Sequence, residues 1–248
     1  MPLVKRSAIV AIILCFFASH SFAACRQALA LGLDVSGSVD LREYRLQLDG
    51  LAAALDSSEV RGAIFSMPNA PIALMVYEWS GVKDTAVVLK WTDLSDENAL
   101  DLAIETLRNT QRRDATPGTA LGIAMQSGVA FLAQKPDCWK HTLDISGDGK
   151  SNLGPRPRDV QPSLPVQGVT INGLVIGADA PSIGDLRQAQ VGELVAYFQA
   201  NVIQGPDSFV EAALGYEAYA DAMARKLLRE IETLNVSQLT PKPKYRLK

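Results

Sequence analysis

The chain is poor in the residues that most catalytic machinery draws on. It has two histidines, His20 and His141, and no Gly-x-Ser-x-Gly elbow surrounds Ser36 or Ser146, so a serine hydrolase lacks both its nucleophile turn and its base. His141 falls inside a predicted strand and reads as a packing residue. A glycine-rich phosphate loop and a glycosidase-type carboxylate pair are both missing. Aromatics make up 6% of the sequence, and Tyr44, Tyr77, Tyr197, Tyr216 and Tyr219 read as core or rim residues. There is no internal repeat or low-complexity segment. A strong charge of one sign is absent as well: the formal net charge of -3 gives no support to binding of nucleic acid or of an anionic membrane. With 48% hydrophobic and 21% charged residues, the composition is that of a globular chain with one substantial core.

Long hydrophobic runs are lacking too. The apolar stretch 8–18 falls well short of the roughly 20 residues that span a bilayer, which disfavours an uncleaved anchor. It follows Lys5 and Arg6 and precedes Ser21-Phe22-Ala23-Ala24, the order of a secretory signal. The expected organisation is a signal peptide over 1–23 with cleavage after 23 or 24, one domain over 24–236 and a frayed tail over 237–248, exported to the periplasm or medium of a bacterium. Losing Lys5 and Arg6 takes the net charge from -3 to -5. Ala23-Ala24-Cys25 also admits a lipoprotein acylated at Cys25, although Phe22 stands where such signals usually carry an aliphatic residue. Cysteine is scarce: Cys15 leaves with the signal, and Cys25 and Cys138 remain. A pair in an exported chain suggests a disulfide. Cys25 lies nine residues before Asp34 and Cys138 ten before Asp148, so parallel neighbouring strands would set them level, at the end of the sheet remote from the aspartates. Two unrelated buried thiols are the alternative.

What is present is an alternation of strand and helix patterns. The run 28–35 reads as a strand buried on both faces, followed by a helix over 40–55 with Leu41, Tyr44, Leu48, Leu51 and Leu55 at helical spacing and Ser38 or Asp40 as cap. Runs 71–79 and 85–91 fit a hairpin that places an antiparallel strand at the sheet edge. Helices are predicted over 95–107, 119–133 and 208–234, strands over 139–146 and 169–176, and a long surface loop over 151–167. The fold class is α/β, a mostly parallel sheet with one antiparallel edge strand and helices on both faces.

Three short motifs fall at strand ends or helix starts: Asp34-Val35-Ser36-Gly37-Ser38, Gly118-Thr119 and Asp148-Gly149. The carboxyl ends of strands form the ligand crevice of open α/β sheets, so the three converge on one edge. Two carboxylates and three hydroxyls are hard oxygen donors that suit magnesium or calcium and do not suit zinc or copper. Each residue alone also fits a plain structural role, as turn or helix cap. The stretch from Asp144 to Asn152 superficially matches a helix-loop-helix calcium loop, but Pro155 replaces its final Glu and a strand precedes it. A haloacid-dehalogenase phosphatase would require an aspartate where Ser36 stands.

Asp-x-Ser-x-Ser, then Gly-Thr opening a helix, then Asp-Gly after a strand resembles the metal-ion-dependent adhesion site of von Willebrand factor A domains. The segments 33–40 and 144–149, and Lys226-Leu227-Leu228-Arg229-Glu230-Ile231, are similar to an exported bacterial family denoted domain of unknown function 1194. The resemblance covers essentially the whole mature chain. It implies a von Willebrand A or Rossmann-like fold. It also implies hydroxyl ligands from Ser36, Ser38 and Thr119, and Asp34 and Asp148 binding a divalent cation directly or through water, with magnesium preferred and manganese or calcium as alternatives. Thr116, on the other side of Pro117-Gly118, is an alternative to Thr119. The expected function is a non-enzymatic module engaging an acidic group of a protein or peptide partner at the ion's open position, with no nucleic acid partner and no membrane span in the mature form. A metal-dependent hydrolase in the same pocket and a structural domain with a vestigial site are the alternatives.

Overall fold

The computed structural model describes residues 25–164, 168–177 and 184–237. The signal segment 1–23 and nearly all of the tail 237–248 therefore lie outside the described residues. Strand β1 (Cys25–Asp34) is buried along almost its whole length, as a central parallel strand must be. Around it stand β2 (Ile72–Trp79), β3 (Thr85–Leu94), β4 (Cys138–Gly147), β5 (Val169–Ile176) and β6 (Val210–Ala213) in the order β3-β2-β1-β4-β5-β6. Only β3 runs antiparallel, at one edge. The expected α/β class holds.

The two faces of β1 differ in residue size, and this sets what packs on each. Leu29, Leu31 and Leu33 point into a core shared with α1 (Leu41–Asp56), α3 (Glu97–Asn109) and α7 (Tyr219–Ser237). The opposite face carries Ala28, Ala30 and Gly32 beneath α4 (Leu121–Leu132) and α6 (Gly184–Asn201). Gly32 is required there, because a Cβ would stand 2.6 Å from the Tyr77 ring and hydroxyl. That hydroxyl donates instead to the Ala124 carbonyl at 2.8 Å.

Asp40 caps α1 in a reciprocal capping box with Glu43, which satisfies amides left open in the first turn. Leu41, counted with the apolar face in the sequence, is 66% exposed: as first residue of the helix it lies beyond the core's reach. Asp96 caps α3, accepting the Ala99 amide. The helix predicted over 208–234 is divided. β6 occupies its start and pairs with β5 at the sheet's other edge, Gly215 interrupts the chain in an extended conformation, and α7 begins at Tyr219. The 151–167 loop holds a short helix, α5 (Pro157–Val160), and α2 (Ser58–Phe65) was not anticipated.

Cys25 faces Cys138 in the β1–β4 register, and the two form a disulfide with Cα atoms 4.4 Å apart. It pins the amino ends of these strands. Asp34 and Asp148 lie at the other end of the sheet, as the spacing predicted.

Candidate metal centre

β1 delivers Asp34 at its last residue with the side chain completely buried. Its Oδ1 accepts the Ser36 amide at 2.8 Å, and the Gln47 side chain on α1 donates to its carbonyl at 3.0 Å. This local turn brings the next two serines round. The Ser36 and Ser38 hydroxyl oxygens lie 3.3 Å apart, the Thr119 hydroxyl lies 3.4 Å from that of Ser36, and the Ser38 hydroxyl donates to Asp148 Oδ1 at 2.8 Å. All five residues singled out in the sequence thus meet in one chain of polar contacts.

Close backbone packing holds the loops together. Gly37 donates its amide to the Pro117 carbonyl at 3.1 Å, and a Cβ on Gly37 would meet the Pro117 side chain at 2.8 Å. Thr119 is gripped by the loop after β4: Asn152 Oδ1 accepts its amide at 2.8 Å, while the Asn152 and Leu153 amides donate to its carbonyl at 2.9 and 3.2 Å. Asn152 therefore fixes the Thr119 loop to the Asp148 loop.

Thr116 is committed elsewhere. Its amide and hydroxyl both donate to Asp84 Oδ2, at 2.6 and 2.9 Å, and its hydroxyl oxygen accepts the Gly81 amide at 3.1 Å. Arg113 links Asp84 to the buried Glu78, which accepts the Tyr44 hydroxyl at 2.5 Å. Thr119 is thus the threonine that joins the serines. Burial alone would raise the Asp84 carboxyl, but hydrogen bonds from Thr116, Arg113 and Ser80 overcome this and hold it down at about 2. A carboxyl depressed in the fold contributes stability that is present above its ordinary value and is lost as pH falls through the folded value. Asp84→Asn is accordingly expected to lower stability at pH 7 and to flatten the acid limb of a pH series of urea unfolding curves between about pH 4 and 2. Parallel limbs in wild type and variant would contradict this.

The electrostatics of the centre are uncompensated. Asp34 Oδ2 is buried with no hydrogen-bond partner, and a Cβ at Gly147 would stand 3.2 Å from it. Burial, and next the negative charge of Asp148, push the Asp34 carboxyl up to about 7. Burial also raises Asp148, against hydrogen bonds from Ser38 and Tyr216. Among the described residues neither carboxylate pairs with Lys or Arg. Nor does any group of three or more His, Cys, Asp or Glu side chains gather there to hold a metal. The donors are two carboxylates and three hydroxyls, a set that fits a small hard cation, which would supply the positive charge the pair lacks. The places of Tyr216 and Asn152 beside the centre escaped the sequence reading because nothing in their local sequence marks them. His141 sits at the far end of β4, with Nε2 2.8 Å from the Lys135 carbonyl oxygen.

With this geometry, solved structures define the fold. The mussel byssus proximal thread matrix protein 1 with a zinc-occupied MIDAS motif superposes with a TM-score of 0.54 at 16% identity, over 86% of this chain and 48% of that one. A von Willebrand factor type A protein from Catenulispora acidiphila gives 0.54 at 15% identity, over 84% and 43%. The pilus adhesin SpaC of Lactobacillus rhamnosus GG gives 0.55 at 11%, over 85% and 31%. The chain has a von Willebrand A-like fold and spans less than half the length of each of these proteins. The family model described as "Protein of unknown function (DUF1194)" matches residues 24–235, and the chain belongs to that family. No curated protein matches it.

Proposed function

We propose that this domain is a metal-dependent binding module that engages an acidic group on a protein partner. The observation that carries the reading is the buried, unpartnered Asp34 Oδ2 beside Asp148, Ser36, Ser38 and Thr119. Those five side chains would hold the ion, magnesium before manganese or calcium. A bound divalent cation supplies an electrophilic position that favours a carboxylate from outside. The zinc-occupied motif of the mussel protein supports a divalent ion at this place and makes zinc a necessary comparison. The adhesin among the structural neighbours supports binding over hydrolysis, and the hydrolase reading has no histidine at the site to draw on.

Export fits the reading. The disulfide belongs to an oxidising compartment, residues 1–23 have the order of a secretory signal, and no helix among the described residues is long and apolar enough to cross a membrane.

Calorimetric titration of chelator-stripped protein with magnesium, manganese, calcium and zinc tests the site. Saturable binding by wild type that is lost in Asp34→Ala, with the variant's circular dichroism unchanged, is expected. A folded wild type that binds none of the ions refutes the proposal and leaves a vestigial site.

A further inference from the structure

The described residues include seven large hydrophobic side chains that are conspicuously exposed, and four of them, Leu41, Val82, Leu153 and Leu214, share one end of the molecule. Topology places them there. Leu41 opens α1 directly after the Asp34–Ser38 turn, and Val82 sits in the hairpin between β2 and β3. Leu153 follows β4 in the loop that grips Thr119, and Leu214 follows the last residue of β6. The parallel register of β1, β2, β4, β5 and β6 brings all these strand ends to the edge that carries Asp34 and Asp148.

Contacts make two of them one patch. The Leu153 side chain lies so close over Gly118 that a Cβ there would meet its Cδ1 at 2.0 Å, and Val82 Cγ2 would stand 3.4 Å from a Cβ on Gly154. Gly154 itself has φ +71, a left-handed conformation that favours glycine and lets the loop fold Leu153 onto the Thr119 side of the centre. Leu214 stands on another flank: Gly177 approaches its backbone, and Tyr216, two residues on, bears electrostatically on Asp148. Single exposed hydrophobics are ordinary on a protein surface. Apolar side chains collected around a polar centre have the layout of an interface, in which they exclude water from the central contact.

We infer that the surface around the centre selects a carboxylate flanked by apolar side chains, so the partner is a protein segment in which an Asp or Glu stands between aliphatic or aromatic residues. This rests on the metal-binding reading above, which accounts for the central carboxylate; the four hydrophobics account for its neighbours. A free anion or a uniformly acidic segment would leave the apolar rim in water.

The test uses three capped synthetic peptides, each with one central residue between two flanking ones: Leu-Glu-Leu, Ser-Glu-Ser and Leu-Gln-Leu. Binding to the protein is followed by NMR titration with saturating magnesium and again with chelator. The leucine-flanked acid is expected to bind about tenfold tighter than the serine-flanked one, the effect of about 1.4 kcal/mol of partial apolar burial. Val82→Ser with Leu153→Ser should bring the two acidic peptides together by weakening only the leucine-flanked one. Leu214→Ser, on a separate loop, should do so in part and guards against disturbance of the Thr119 loop. Equal affinity of the two acidic peptides for wild type overturns the inference and leaves the metal reading intact. Binding of Leu-Gln-Leu as tight as that of Leu-Glu-Leu, unaffected by chelator, overturns the metal reading, and magnesium-dependent binding of neither acidic peptide overturns both.

Discussion

Lys226→Met is expected to destabilise the domain by about 3–5 kcal/mol, the usual cost of leaving buried charges without their counter-ion. Lys226 is fully buried on α7, with Nζ 2.8 Å from Asp144 Oδ2 and 2.5 Å from Glu230 Oε1. Asn172 on β5 donates to the same Glu230 oxygen at 2.7 Å and accepts the Phe209 amide at 3.1 Å. Methionine keeps most of the lysine's volume, so the loss reports charge more than packing. Burial pushes Asp144 up to about 7 even against the pull of Lys226. Without the lysine Asp144 favours protonation further. A raised folded carboxyl gives stability that is present at low pH and lost as pH rises through the folded value, so the deficit should grow from pH 5 to 8. Urea unfolding of the single variant and of an Asp144→Leu, Lys226→Met, Glu230→Met triple variant decides the matter. The triple should lie near wild type, since apolar replacement of a whole buried ion group is often neutral. A single variant within about 0.5 kcal/mol of wild type at both pH values would show that the group contributes nothing.

The second large effect has the opposite sign. In metal-free protein, Asp34→Asn is expected to raise stability at pH 8, because the carboxylate is held ionised in a buried place beside Asp148. The rise from 3.8 to about 7 corresponds to about 4 kcal/mol at most. The asparagine Oδ1 keeps the Ser36 amide, but its NH2 group must find acceptors, so a gain of about 2 kcal/mol is the expectation. The gain should shrink toward pH 4, where the wild-type carboxyl is protonated in the fold and the destabilising charge is gone. Magnesium should reverse the order by raising the melting temperature of wild type and leaving the variant unmoved. Thermal melts in chelator and in magnesium measure both. A variant less stable than wild type in chelator at pH 8 would mean that the Asp34 carboxylate is structural and not a charge waiting for a cation.

The legible part of the centre was short-range. Asp34, Ser36 and Ser38 lie within five residues, and Asp148 ends a strand pattern, so local order and the rule for strand ends brought them together. A Gly-Thr that opens a helix favours Thr119 over Thr116, but the contact that commits Thr116 elsewhere was not legible, because it comes from Asp84, 32 residues away in sequence. The edge strand β6 was hidden because its four residues, Val210–Ala213, fit a helical pattern as readily as an extended one, and pairing with β5 decides between them. Lys226 and Glu230, one helical turn apart, look like a surface pair. They are buried because Asp144 and Asn172, partners in the β4–β5 register, offer them polar atoms under α7. The buried ion group thus lies within the Lys226–Ile231 segment through which the chain resembled its family.

Among the described residues the disulfide closes a covalent ring and leaves a free arm after it. Its ends are 113 residues apart in sequence, so β1, α1, α2, β2, β3, α3 and α4 lie inside the ring, while α5, β5, α6, β6 and α7 follow it. Proteins open in cooperative blocks of unequal stability, and the arm can detach without breaking a covalent bond. β4 bridges the two, tied at its first residue to Cys25 and zipped along β1. Every proposed cation donor belongs to the ring or to the turn at the end of β4. An arm that loosens would take away Tyr216 and Lys226 and leave the donor set standing on the ringed part of the protein.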